Sequence, residues 1–438
     1  MDTLNFLLYR LREKLWVKPL LACLLSVGGA LAAQGADGID LGRKLPQVSA
    51  DTIEELLKLV AASMLVMATL AVGSMVAAYA SAAGSATPRA FPLVVADDVS
   101  QNALSAFTGA FIFNVVAFIF VSNGYYGRVG RFTLFVLTVL VLAFVRVTFV
   151  RWVDRIARLG RLGMVVGTVE KATLQALQAR RCTPNLRARP GDAASHDGAP
   201  VYCDAIGYVQ YVDVGKLQAC AEALDARIEV TGLPGTFAAP GRPVARVVRG
   251  AAGGPLPPAQ QEQVARCFTI GNDRKFDQDP RFGLIVLSEI ASRALSPAVN
   301  DPGTAIQVIG AFVRLFVAWG RPLQADEVQP VLHDRVSVLP LSLEDMFDDA
   351  FSAMERDGAS VVEMGVRLQK AFVALGASGH PQMRTLAQTH SRRALERAAR
   401  RLDAPEDLAA LAKAARTLGP QATAQATPAR TGQARTSA

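Results

Sequence analysis

Histidine, paired cysteine and the short motifs of catalysis are what this sequence has little of. Four histidines in 438 residues stand far apart, and the five cysteines, Cys23, Cys182, Cys203, Cys220 and Cys267, form no CxxC pair. That spacing argues against a zinc site or a disulfide framework and for reduced thiols in a cytosolic setting. There is no nucleophile elbow, phosphate-binding loop or HExxH, so the sequence predicts no enzyme, no metal and no cofactor. His333 beside Asp334 reads as a surface turn. The charge excess of +8 lies beside apolar runs and in the last stretch of the chain. It makes no basic face interleaved with aromatics, which sets nucleic acid aside as a partner.

What the chain does have is apolarity, 51% of its residues, with most of the long runs before Val150. The densest feature is the run from Leu56 to Arg89, long enough to cross a bilayer. Twelve of the sixteen residues from Ala71 to Ala86 are Ala, Gly or Ser. Such a thin helix lets other backbones approach closely, which is how helices associate in lipid. It is expected at the centre of a bundle. Thr69, Gly73, Ala77, Ser81 and Ser85 recur every four residues and with Ser74 form a row suited either to tight packing or to lining a pathway.

Four spans are predicted, at about 16–33, 56–80, 103–121 and 132–150, within a membrane domain of residues 1–150. Before the first, Arg10, Arg12 and Lys14 among aromatic and aliphatic residues suit a short interfacial helix, and the first run is read as a retained span rather than a cleaved signal. Asp37, Asp40, Arg43 and Lys44 belong to an external loop. Asn114, near the middle of the third span, is expected to face the bundle and bond across helices, with ion or substrate contact as the alternative. Arg146, Arg151, Arg155, Arg158 and Arg161 follow the fourth span. Together with the N-terminal group they place both termini in the cytoplasm of a multi-pass inner (plasma) membrane protein, and anionic lipid is the expected partner of Arg151, Arg155, Arg158 and Arg161.

Beyond the membrane the expectation is a cytoplasmic α+β domain: a basic amphipathic connecting helix at 151–180, a small β-rich unit at 181–249, a helical part at 259–417 and a disordered tail at 418–438. Two polar loops stand out there. Residues Gly271 to Gly283, GNDRKFDQDPRFG, and Ser296 to Ala305, SPAVNDPGTA, supply Arg274, Asp277, Asp279, Asn300 and Asp301. These residues could build a ligand or ion site, or be turn and cap chemistry with internal ion pairs. Asp301 before Pro302 is a good helix start, opening a helix to about Val317.

The chain resembles the uncharacterised prokaryotic membrane proteins of domain-of-unknown-function family 2254. The resemblance is carried, in order, by Arg12 to Trp16, SATPR at Ser85 to Arg89, GYVQYVD, PGTFAAPGRPV, RKFDQDPRFG, ALSPAVNDPGTA and FDDAF near Phe347. Lys275 stands where the family usually carries Thr. The resemblance implies an integral membrane protein with a cytoplasmic domain and supplies no reaction. Two functions follow as expectations. One is a self-associating channel or transporter-like pore, lined by the small-residue span and regulated by the cytoplasmic domain. The other is a non-conducting membrane-anchored sensor or scaffold whose soluble part binds a ligand or partner.

Overall fold

The computed structural model describes residues 16–38, 46–85, 87–95, 98–158, 162–192, 198–249, 256–324 and 326–416. Arg10, Arg12, Lys14, Asp40, Arg43, Lys44, Arg161 and the 418–438 tail lie outside the described residues. The chain divides into two compact units, residues 1–165 and 166–438.

Among its described residues the first unit contains four long apolar helices: α1 (Val17–Gly35), α2 (Ala50–Ser85), α3 (Asp98–Ser122) and α4 (Arg128–Arg158). Each extends beyond the span expected for it. At 1.5 Å per residue α2 and α4 are about 54 and 46 Å long, more than the roughly 30 Å of a hydrocarbon core. Pro88 follows the end of α2 and opens a short 3₁₀ turn, Pro88–Ala90. After it comes a helical turn at Phe91–Val95.

The centre of this bundle is α3, not α2, a correction to the expectation above. Helix α3 packs against each of the other three, and 44% of its most apolar stretch is buried, against 22% for α2. A central helix needs a different complementary surface toward each neighbour. On α3, Phe107 and Phe113 are buried while Gly109 admits α1, where an added Cβ would stand 3.1 Å from Ala22 Cβ. Helix α2 turns Ile53, Leu57, Val60, Met64, Ala71 and Met75 inward, and its thin row lies on another face. Two loops are tied at one end of the bundle. The Asp37 carboxylate accepts from the Gly127 and Gly130 N–H groups, each at 2.7 Å, and the Tyr126 hydroxyl donates to the Ala30 carbonyl at 2.9 Å. A side chain at either glycine would overlap Asp37.

The second unit begins within α5 (Leu162–Cys182). The sequence reading made this stretch part of a basic amphipathic connecting helix. Val166, Val169, Thr173, Leu177 and Arg180 are buried at helical spacing. Glu170 makes a two-pronged ion pair with Arg314 at 2.6 and 2.7 Å, and Arg181 donates to the Ala318 carbonyl at 2.7 Å. Burial of one face and ion pairs on its rim make it a core helix.

Eight strands follow among the described residues: β1 (Ala188–Pro190), β2 (Ala199–Val201), β3 (Gly207–Val212), β4 (Arg227–Val230), β5 (Phe237–Ala238), β6 (Ala245–Val248), β7 (Phe268–Gly271) and β8 (His333–Val338). They form a five-stranded sheet of order β1-β8-β4-β6-β2 and a three-stranded sheet of order β5-β3-β7. The β-rich part is therefore not confined to 181–249. Strand β8 comes from the stretch read as helical and lies between β1 and β4, parallel to both. Val336 and Val338 are its buried residues. His333 and Asp334 open this strand rather than a turn.

Helices α6 (Val214–Ala223) and α7 (Pro258–Ala265) accompany the sheets. Six more helices follow among the described residues: α8 (Pro280–Ala294), α9 (Pro302–Gly320), α10 (Leu343–Asp357), α11 (Val362–Gly376), α12 (Pro381–Ala398) and α13 (Pro405–Ala415). By length and composition α9 is a fifth candidate membrane span among the described residues. Its apolar side serves a core in the second unit: Phe312 and Phe316 pack with Phe347 and Phe351 of α10, and Phe372 of α11 closes the cluster.

Candidate functional site

The loop between β7 and α8 is built around one buried ion pair. Asp279 caps α8, its carboxylate accepting from the Phe282 N–H at 3.2 Å, with Pro280 in the first turn. The same carboxylate takes a two-pronged bond from Arg274, Nε at 2.7 Å and Nη2 at 2.9 Å. This geometry uses the fixed fork of a guanidinium. Burial pushes the Asp279 carboxyl up, while Arg274 and the Phe282 N–H oppose the shift. Behind the pair, Arg180 donates to the Gln278 carbonyl at 3.3 Å, and burial lowers its guanidinium to about 10 against the pull of Asp279. The turn carrying Gly235 closes over it. Gly235 has φ +93°, and a Cβ there would overlap the Asp279 carboxylate and stand 2.7 Å from Arg274 Nη2.

Two residues after Asp279, Arg281 reaches α10. Its Nε and Nη2 hold Asp349 at 2.6 and 3.2 Å, and its Nη1 holds Asp345 at 2.5 Å. Burial works against the charge on Arg281, but the bonds and charges of the two aspartates outweigh it and raise its pKa further. Every polar or aromatic side chain of FDDAF is thereby accounted for. Phe347 and Phe351 enter the core, Asp349 holds Arg281, and Asp348 holds Arg393 of α12 at 2.8 Å.

These parts enclose a cleft of about 940 Å³. Arg242, Arg274 and Arg281 line it, with Asp192 and Asp345, the apolar Leu233, Leu339 and Leu341, and Phe237. Arg242 is exposed, and its guanidinium makes no ion pair with any described residue. Three segments far apart in sequence, PGTFAAPGRPV, RKFDQDPRFG and the start of α10, thus meet at one surface. The N-termini of α8 and α10 both border it, through Arg281 and through Ser342, the N-cap of α10. Helix N-termini and unopposed guanidinium edges favour an anion.

The second polar loop lies elsewhere. Asp301 N donates to the Ala294 carbonyl at 2.8 Å, which ties Asp301 to the C-terminal end of α8. Asp279 caps the other end, so the helix, about 22 Å long at 1.5 Å per residue, separates the two groups. Asn300 adopts φ 47°, and the Asp301 carboxylate accepts from the Thr304 N–H at 3.1 Å and the Thr304 hydroxyl at 2.6 Å. Those bonds hold the Asp301 carboxyl below its ordinary value. Turn and cap chemistry explains this loop. Asp277 is exposed in the first loop.

In the first unit Thr69, Gly73, Ala77 and Ser81 are exposed and Ser74 is half-buried, while the Ser85 side chain lies outside the description. Nothing lies within 4 Å of a Cβ added at Gly73. The Thr69 hydroxyl donates to the Leu65 carbonyl of its own helix at 2.9 Å. Asn114 is fully buried, but its amide donates to Ala110 O of its own helix at 2.6 Å rather than across helices. Its Oδ1 has no partner among the described residues.

Arg242, Arg281, Asp345 and Asp349 were not among the residues the sequence singled out as a site. All but Asp345 fall inside motifs that carry the family resemblance, and their joint occurrence was the available signal.

Comparison with known proteins agrees with that resemblance. A family model described as predicted membrane protein (DUF2254) matches residues 12–374. Uncharacterized proteins of Mycobacterium bovis and Mycobacterium tuberculosis are each 36% identical over 118 residues, 26% of this chain. The match spans only 22% of the length of these curated relatives. No solved structure matches.

Proposed function

Because the chain belongs to this family of predicted membrane proteins, we propose that it is a membrane-anchored binding protein whose second unit takes a small anionic ligand in the arginine-lined cleft. The observation that carries this reading is the convergence of Arg242, Arg274 and Arg281 with two helix N-termini on one cavity. Its size lies within the roughly 300–1,000 Å³ of small-molecule sites. In this reading α1 to α4 are the spans and both termini are cytoplasmic. The basic end of α4, with Arg151, Arg155 and Arg158, meets anionic lipid together with Arg161. The role is binding rather than catalysis.

The full chain in lipid nanodiscs tests it by thermal unfolding against phosphate, sulfate and citrate. At least one should raise the unfolding temperature saturably. The rise should vanish in Arg242→Ala and persist in Asp301→Ala, which lies at the far end of α8. No shift with any of the three would sink the reading.

A second reading, a self-associating pore at the plasma membrane, is favoured by the outward placement of Thr69, Gly73, Ala77 and Ser81. Small residues on an unoccupied face are what close helix association in lipid requires. Cross-linking of Gly73→Cys between copies supports association. Conductance in planar bilayers, abolished by Ser74→Trp, supports the pore, whereas assembled protein silent under all voltages and ions rejects it.

A further inference from the structure

We propose that the arginine-lined cleft binds a soluble organic phosphate of nucleotide size, its phosphate seated between Arg242, Arg274 and Arg281 and its body against Phe237. The inference rests on the anion-binding reading above and names its ligand class. The Arg242 guanidinium and the Nη1 edge of Arg274 offer more donors than the two oxygens of a carboxylate can use. A tetrahedral phosphate accepts from several at once. Arg274 spends Nε and Nη2 on Asp279 and leaves Nη1 without a hydrogen bond among the described residues. Arg242 offers its whole guanidinium.

Arg281 already carries a stand-in for the ligand. Its Nη1 is occupied by Asp345 at 2.5 Å, and the Asp345 side chain is 49% exposed, whereas that of Asp349, on the Nε side, is 14% exposed. The outer carboxylate is free to yield to an incoming anion while the inner one keeps Arg281 aimed. The body of the ligand is set by the rest of the cleft. About 940 Å³ is far more than a bare phosphate fills, and Leu233, Leu339, Leu341 and Leu343 form an apolar part of the remaining wall. Phe237 is 41% exposed there, and Tyr208 holds it edge-on at 5.1 Å between ring centroids. A planar ring stacked on Phe237 would cover this otherwise wet aromatic surface.

The test is titration calorimetry on the full chain in nanodiscs with AMP, GMP, UMP and ATP, beside inorganic phosphate and citrate. At least one nucleotide should bind tenfold or more tighter than inorganic phosphate. Arg242→Ala should weaken that binding at least tenfold, and Asp345→Asn, which removes the competing charge but keeps the Ser342 cap, should tighten it about threefold. Citrate binding that needs Arg242, with no nucleotide bound, overturns the phosphate class and leaves the anion reading standing. Failure of every anion overturns both. Nanodiscs containing phosphatidylinositol 4-phosphate separate the sources. An Arg242-dependent rise in unfolding temperature there, without any soluble nucleotide binding, assigns the phosphate to a lipid headgroup and overturns the soluble ligand.

Discussion

The two units solve the problem of buried polar groups in opposite ways. In the four-helix unit several buried polar side chains turn back on their own helix: Ser105 to Gln101 O, Asn114 to Ala110 O and Thr138 to Leu134 O. In the second unit the strong bonds cross between elements. Glu170 meets Arg314, Arg281 meets Asp349, Gln369 of α11 meets Ser391 of α12, and the buried Glu355 of α10 holds His390 of α12 at 2.5 Å. An apolar solvent offers no rescue for a polar group whose partner helix shifts, so a local partner is the safe one. Charged pairs between elements can instead fix which helix meets which.

That contrast can be broken by mutation, most forcefully at Glu355. Its side chain is fully buried and receives His390, with Arg393 and Arg397 at 3.3 and 3.7 Å. Glu355→Ala leaves the buried His390 without its bond to Glu355 and removes the carboxylate facing Arg393 and Arg397, and should cost about 3–5 kcal/mol of stability, read as a large fall in unfolding midpoint. A cost below about 1 kcal/mol would mean that the crossing pairs do not hold this unit together.

Asp37, like Tyr126, departs from this pattern in the first unit, a carboxylate that crosses between loops. Asp37→Ala leaves the Gly127 and Gly130 N–H groups without their acceptor and should cost about 1–2 kcal/mol. Unfolding of the purified protein in detergent would measure it, and an unchanged midpoint would remove the exception.

Asp301 sharpens the comparison through pH. Its folded carboxyl is held below the ordinary value by Thr304. Its contribution is therefore present above the unfolded value of about 3.9 and lost as pH falls through the folded one. Asp301→Ala should cost about 1 kcal/mol at pH 6, the usual worth of an N-cap moderated by exposure. The mutant and parent curves should converge below pH 4 or so.

The smallest effect belongs to Asn114. Because its amide bonds only its own helix and its Oδ1 has no partner among the described residues, Asn114→Leu should change stability by less than about 1 kcal/mol. A loss of several kcal/mol, or a change in flux, would show that it serves something outside this chain's own packing.

Much of the local structure could be read along the chain. The long helices of the first unit follow from apolar runs bounded by charge. Asp279 before Pro280 and Asp301 before Pro302 announce two helix starts by cap chemistry, which needs only neighbours in sequence. Strand β8 was not legible. HDRVSV is short, and only Val336 and Val338 mark a buried face, so its place between β1 and β4 depends on partners more than a hundred residues away. The cleft was legible only in pieces. Arg274 and Asp279 stood out as a charged loop, but nothing near Asp345 or Arg242 tells that they face the same space.

The sequence by itself determined that this is a helical membrane protein with a second, strand-containing part, because hydropathy and periodicity are properties of single segments. It also carried the family, because motif order is written in the chain. Only the tertiary structure decided that α3 rather than the thin α2 holds the bundle centre, and that the two polar loops sit at opposite ends of α8. It also brought Arg242 to the same cleft as Arg274 and Arg281, from a segment about thirty residues away. Those outcomes depend on which surfaces fit each other, and complementarity belongs to pairs of elements rather than to any one of them.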